Sequence, residues 1–230
     1  MKIGGFQKTS LLDYPDRISA IVWTSGCNFR CPFCYNKNLA LGNAEVFPMD
    51  EILSFLLKRK EQLEGVVISG GEPLIQEDIV DFVEKIKDLG LLVKVDTNGA
   101  FPEKLSELLE KQLVDYVAMD VKAPRGKYHQ LTGIDVDILK IEASICLIKT
   151  KAPAYEFKTT FIPGFLKKED IVEIAEWLNE ADAYYLQQFK NIKPLVSSTL
   201  ETTLPYPRDY LYDTLIAIRP FFKRCAVRGV

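Results

Sequence analysis

Three cysteines stand close together near the start of the chain, in Cys27-Asn28-Phe29-Arg30-Cys31-Pro32-Phe33-Cys34. Gaps of three residues and then two let one tight loop aim three thiolates at a single inorganic cluster. Cubane [4Fe–4S] clusters are held by cysteine thiolates, normally four. This run supplies three, and no fourth cysteine follows nearby. One iron would be left open to a small molecule, which is what a reductive cleavage needs. A structural zinc site is the plainer alternative. It asks for four nitrogen or sulfur ligands. It would have to recruit His129, the single histidine, or the isolated Cys146 or Cys225. A disulfide framework fits less well, because five cysteines in 230 residues are sparse and odd in number.

Three further polar motifs could join the same chemistry. Gly70-Gly71-Glu72-Pro73 offers exposed main-chain groups and a carboxylate, since glycine lets backbone approach a ligand closely. Read alone, it is a tight turn with a surface glutamate. Asp96-Thr97-Asn98-Gly99 brings a carboxylate, a hydroxyl and an amide, suited to a cation or to hydrogen bonding. Its plainer reading is a type I′ turn, for which Asn-Gly is the usual sequence. Asp120 and Lys122 flank Val121 and share one face of a strand, or form an ordinary surface pair.

The elements that must position these motifs follow from periodicity. β-branched apolar runs are expected to form strands over 18–24, 65–69, 91–95, 114–119, 155–162 and 183–188. Between them, helical spacing predicts helices over 50–63, 77–89, 102–111, 135–149 and 167–179, with a last one over 207–222. Cys146 falls on the apolar side of one of them and reads as a small core residue. This alternation implies βαβ units and a parallel sheet. The expected fold class is α/β, a partial (β/α)6 TIM-like open barrel. A full eight-stranded barrel takes about 250 residues, slightly more than this chain has. Residues 1–230 read as one domain, with 1–17 an N-terminal extension that caps or extends the sheet. Each motif falls just after a strand, so all four gather at the C-terminal mouth, where barrel active sites lie.

The bulk numbers exclude other classes. Hydrophobic residues at 47% and charged residues at 27% are ordinary for a globular chain. A net charge of −3 leaves no nucleic-acid footprint. No stretch of about 18 apolar residues predicts a membrane span, and Met1 to Ser10 lacks the apolar core of a signal peptide. The expected location is a reducing cytoplasm.

The cysteine spacing, with Phe33 before the last thiol, resembles the signature of radical S-adenosylmethionine (SAM) enzymes. The whole chain resembles the small activating enzymes of glycyl-radical proteins, above all the anaerobic ribonucleoside-triphosphate reductase activating proteins. The leader from Gly4 to Pro15 and the closing Val227-Arg228-Gly229 carry that likeness. Pyruvate formate-lyase activating enzymes share the Gly-Gly-Glu-Pro, Asp-Thr-Asn-Gly and Asp-x-Lys pattern. One departure is Tyr35, where relatives carry His before Asn.

The resemblance implies a [4Fe–4S] cluster on Cys27, Cys31 and Cys34, with SAM at the open iron. It implies that Phe33, Gly70, Gly71, Glu72, Asp96, Thr97, Asn98, Asp120 and Lys122 form the SAM site. Within it, the Gly-Gly-Glu motif would meet the methionine ammonium and Lys122 the SAM carboxylate. Asp96, Thr97 and Asp120 would surround a monovalent cation. The implied reaction is one-electron cleavage of SAM, giving a 5′-deoxyadenosyl radical that takes a hydrogen atom from a glycine of a large partner. The implied partners are that glycyl-radical protein, of reductase or pyruvate formate-lyase type, and a reductant such as flavodoxin or ferredoxin. Two alternatives remain at this point: a small-molecule radical SAM enzyme such as a 7-carboxy-7-deazaguanine synthase, and a non-catalytic iron–sulfur or zinc protein.

Overall fold

A computed structural model describes residues 1–230. Eight strands form one sheet in sequence order. They are β1 (Ile3–Ser10), β2 (Ser19–Thr24), β3 (Gly65–Gly70), β4 (Leu92–Thr97), β5 (Tyr116–Asp120), β6 (Tyr155–Phe161), β7 (Ala181–Gln188) and β8 (Phe222–Arg228). The first pair is antiparallel; every later pair is parallel. β1 and β8 pair on one side only, so the sheet stays open. Seven strands, β2 to β8, each send a side chain into one shared cavity, which only a curved sheet can do: Trp23, Ser69, Asp96, Asp120, Lys158, Gln187 and Arg228. The expected α/β open barrel is thus the observed architecture.

The crossovers carry helices α1 (Lys37–Ala40), α2 (Met49–Arg59), α3 (Ile79–Asp88), α4 (Pro102–Glu110), α5 (Tyr128–Thr132), α6 (Ile138–Lys151), α7 (Lys168–Trp177) and α8 (Arg208–Ile218). Their buried faces follow helical spacing: Ile79, Phe82, Val83 and Ile86 on α3, and Ile141, Ile145 and Ile148 on α6. They pack on the outward residues of the strands, among them Val66, Ile68, Val93, Val95, Val117, Met119 and Phe157, all fully buried. Each such side chain contributes about 1.5–3 kcal/mol by leaving water. The inward residues alternate with these and differ in kind. Toward the base they are apolar, with Tyr14 closing over Ile21, Val67, Tyr116 and Ala118. Toward the mouth they are charged.

Three expectations need correction. The last helix ends at Ile218 and is followed by a strand, β8, rather than running to Phe222. Pro220 is the cause, since its ring and missing N–H stop an α-helix. β8 then completes the sheet through a parallel pairing with β7 and a stack of Phe222 on Tyr184 at 4.7 Å. β4 runs two residues further than expected and takes in Asp96 and Thr97. Cys146 is exposed, not a core residue, because α6 turns Ile145 and Ile148 inward instead.

Candidate active site at the barrel mouth

The cysteine loop leaves β2 and has almost no regular structure of its own, so its shape is imposed by neighbours. Ser25 N–H donates to Lys2 O (2.8 Å), and Gly26 N–H to Leu39 O (2.7 Å). Arg30 N–H donates to Thr132 O at the end of α5 (2.7 Å). From the far side, Val196 N–H donates to Cys34 O (3.0 Å) and Ser197 N–H to Pro32 O (2.9 Å). Phe29 is buried beneath the loop. This segment after β7 is a functional support that sequence reading missed, since nothing in residues 190–197 has a periodic signal.

The loop presents Cys27, Cys31 and Cys34 to a cavity of about 570 Å³. All three are free thiols. Burial raises each of them, Cys27 to about 11 with help from nearby Glu72, and Cys31 to about 12, while the Lys122 ammonium opposes the rise. Phe29 N–H donates to Cys27 Sγ (3.4 Å), and Asn98 Nδ2 approaches the same sulfur at 3.9 Å. Cys225 lies away from this cavity on β8, and Cys146 lies on the helical surface. No three His, Cys, Asp or Glu side chains close on a point fit for one metal ion. Three thiols facing a shared cavity, with Cys146 and Cys225 away from it and His129 absent from its lining, suit a three-thiolate cubane better than a four-ligand structural zinc. The donor set therefore fits a three-thiolate [4Fe–4S] cluster.

Gly70 and Gly71 are required by the protein itself. Gly70 has φ +122, and a Cβ there would lie 2.3 Å from Thr24 N. A Cβ on Gly71 would lie 1.9 Å from Gly26 O, at the start of the cysteine loop. Glu72 N–H then donates to that same Gly26 O (2.9 Å). The Glu72 side chain is 1% exposed. It accepts from Leu74 N–H (3.1 Å), Thr97 Oγ1 (2.8 Å) and Asn98 N–H (2.7 Å). Burial pushes its carboxyl up to about 7 in spite of these donors. Glu72 thus ties the end of β3 to the end of β4.

Asp96 and Asp120 meet lysines. Lys94 Nζ donates to Asp96 Oδ1 (2.5 Å), and Ser69 Oγ to Asp96 Oδ2 (3.1 Å). Lys122 Nζ lies 3.2 Å from Asp120 Oδ1. Lys158 Nζ stands between the two, 3.6 Å from Asp96 Oδ2 and 3.6 Å from Asp120 Oδ2. Burial would raise the Asp96 carboxyl, but Lys158 and Lys94 bring it down to about 2. Asp120 is lowered in the same way by Lys122 and Lys158. Burial disfavours the ammoniums, yet the aspartates hold both Lys122 and Lys158 above the usual lysine range. Asp96, Thr97 and Asp120, expected to surround a cation, stand together at the mouth among three lysines. The aspartate oxygens already face ammoniums, and Thr97 Oγ1 is spent on Glu72 and on Gly99 N–H (3.1 Å).

The remaining expected residues fall at the same mouth. Phe33 and Asn98 line the cavity, with Lys122 Nζ 5.9 Å from the Phe33 ring centre. Tyr35 also lines it and is half exposed. His129 is exposed on α5. Two side chains beyond the expected set stand out. Lys158, in β6, belongs to no motif in the sequence. Arg228 donates both Nη1 and Nη2 to buried Glu156 (2.5 and 2.9 Å) and lies 3.3 Å above the Tyr185 ring, anchoring the last strand beside the cavity.

The pattern that defines the Radical SAM superfamily matches residues 21–178. A protein of Methanocaldococcus jannaschii, named as a glycyl-radical enzyme activating enzyme, is 37% identical over 199 residues, covering 82% of this chain and 80% of that one. A 7-carboxy-7-deazaguanine synthase of Thermoplasma acidophilum is 37% identical over 107 residues, covering 46% of this chain and 48% of that one. Among solved structures, Streptococcus suis SuiB bound to its precursor peptide superposes with a TM-score of 0.68 at 15% identity, covering 91% of this chain. The chain spans about half the length of that structure, 48%, so the likeness concerns the fold.

Proposed function

The chain belongs to the radical SAM superfamily, and from that premise we propose that it activates a glycyl-radical protein, most specifically an anaerobic ribonucleoside-triphosphate reductase. The observation that carries this reading is the three-thiol loop at the mouth of a barrel that stays open along one side. The cavity reaches from Asp13 and Trp23 near one sheet edge to Arg228 and Gly229 at the other. β1 and β8 do not pair across that gap. An opening bounded by two free edges suits an extended peptide segment better than a sealed metabolite.

Cys27, Cys31 and Cys34 would hold the cluster, and Lys122 would hold the carboxylate of SAM. Asn98, Phe33, Gly70 and Gly71 would shape the rest of the SAM seat, while Glu72 keeps Thr97 and Asn98 in place. Cluster and SAM together supply a one-electron reductive cleavage strong enough to take a hydrogen atom from a glycine α-carbon. The chain's own part is to orient the reactants and exclude water, with buried Phe29, Phe33 and Phe189 in the cavity wall. The electron would come from a flavodoxin or ferredoxin, in the cytoplasm. No helix is long and apolar enough to cross a membrane.

The test is to mix the reconstituted protein anaerobically with SAM, a reductant and an anaerobic ribonucleotide reductase, and to record the EPR spectrum. A glycine-centred doublet that vanishes when the partner's glycine is changed to alanine is the expected result. A doublet only with pyruvate formate-lyase would reassign the partner. Turnover of a purine-like small molecule with no doublet on either protein would transfer the reading to a deazaguanine-synthase activity.

A further inference from the structure

We propose that the Lys158 ammonium is a built-in cation that takes the place of a monovalent metal ion, so that SAM binding here needs no added Na⁺ or K⁺. The inference rests on the SAM-binding reading above.

The charges decide the case. Lys94, Lys122 and Lys158 bring three positive charges to a cluster with two carboxylates, Asp96 and Asp120. Asp96 Oδ1 faces Lys94, Asp120 Oδ1 faces Lys122, and the two remaining oxygens share Lys158. The site is dry enough for this to matter: Lys94 is 5% exposed, Lys158 13% and Lys122 15%. An alkali ion placed there would raise the net charge from +1 to +2 in a poorly screened interior. It would also have to compete for aspartate oxygens that already face Lys94, Lys122 and Lys158.

Position argues the same way. Lys158 is the register partner of Asp120 across β5 and β6. Its side chain shares the inward face with Glu156 and Thr160. The sheet itself therefore sets the ammonium between the two aspartates. An ammonium carries three donors. At 3.6 Å from each aspartate the contact is one of charge, not a hydrogen bond, so these donors stay free for a ligand in the cavity that Lys158 lines. The single surplus positive charge matches one carboxylate, such as the amino-acid end of SAM. Neutralising two aspartates while attracting a third carboxylate is the task an alkali ion would perform.

The experiment measures SAM binding to the cluster-loaded protein by anaerobic equilibrium dialysis in choline chloride, NaCl and KCl at equal ionic strength. The wild-type Kd should agree within about twofold across the three salts. Lys158→Met should bind SAM at least tenfold more weakly in choline chloride and regain affinity in KCl or NaCl. Lys158→Arg should stay independent of the salt. A tenfold gain in wild-type affinity on adding K⁺ or Na⁺ would overturn the proposal, and that arm needs no variant to fold. The thermal midpoint of the cluster-free wild type gives a readout that does not involve SAM. It should be the same in all three salts, and a rise specific to K⁺ or Na⁺ would overturn the built-in cation alone. Failure to bind SAM in any salt would instead sink the SAM reading on which it rests.

Discussion

Glu72 and Asp96 close neighbouring strand ends behind the same cavity, and both are deep in the protein, yet their carboxyl groups are driven in opposite directions. Glu72 meets only neutral donors and rises to about 7. Asp96 meets two ammoniums and falls to about 2. Burial is the largest influence in both cases and pushes both upward; what differs is that ammoniums lead the opposition at Asp96, whereas at Glu72 neutral donors lead and Lys122 adds least. The mouth thus has two halves. Around β2 and β3, the cysteine loop, Gly71 and Glu72 form a junction of neutral hydrogen bonds that fixes backbone. Across β4, β5 and β6, Lys94, Lys122 and Lys158 face Asp96 and Asp120 in an ionic ladder.

The largest effects should come from the junction half. Cys27→Ala, Cys31→Ala or Cys34→Ala should each remove the bound iron, about four per chain after anaerobic reconstitution. Iron and sulfide analysis checks this, and stoichiometric zinc with no iron in the wild type would break the assignment. Glu72→Ala strands the Thr97 hydroxyl and two backbone N–H groups. With about 1–3 kcal/mol for each unsatisfied group and partial relief by water, a loss of about 3 kcal/mol is expected in urea unfolding. A loss below 1 kcal/mol would mean that the junction is not what holds the two loops together.

Smaller effects belong to the ionic half. Lys122→Ala should weaken SAM binding by about 2 kcal/mol and leave iron content unchanged, as calorimetry on the loaded protein would record. Unaltered affinity would remove Lys122 from the SAM site. Asp96 carries a pH signature. Its folded pKa lies below the unfolded value of 3.8, so its stabilisation is present above that pH and is lost as the pH falls toward about 2. The groups facing it are Lys94, Lys158 and Ser69, with Asp120 across Lys158. The advantage of wild type over Asp96→Asn in urea unfolding of the cluster-free chain should therefore shrink by about 2 kcal/mol between pH 5 and pH 2. An advantage that grew on acidification would reverse the comparison between the two carboxylates. The smallest effect is outside both halves: Cys146→Ser, on an exposed helical surface, should change stability by less than about 0.5 kcal/mol and leave iron content intact.

Much of this was legible along the chain because the information is local. Alternating apolar runs announce strands and helices through periods of 2 and 3.6 residues. Parallel topology then sends every strand end to one mouth, so the cysteines, Gly-Gly-Glu, Asp-Thr-Asn-Gly and Asp-x-Lys were bound to meet. β8 was hidden because Lys223 and Arg224 break its apolar pattern, as charges often do on an edge strand. Pro220 was the available signal for its start.

What each motif does once assembled is a different kind of fact. Glu72 reads as a surface carboxylate or a ligand group in sequence, and becomes a buried tie only because Thr97 and Asn98 arrive from a strand 25 residues away. Lys158 reads as one lysine among many, and becomes a counterion for two aspartates because sheet register sets it opposite Asp120. Donor types, the three-thiol spacing and the strand ends on which they sit follow from residue order, since these depend on neighbours a few residues apart. Which charges face each other emerges on folding, because an electrostatic partner is fixed by distance through space and by exclusion of water, and neither is written in the order of residues.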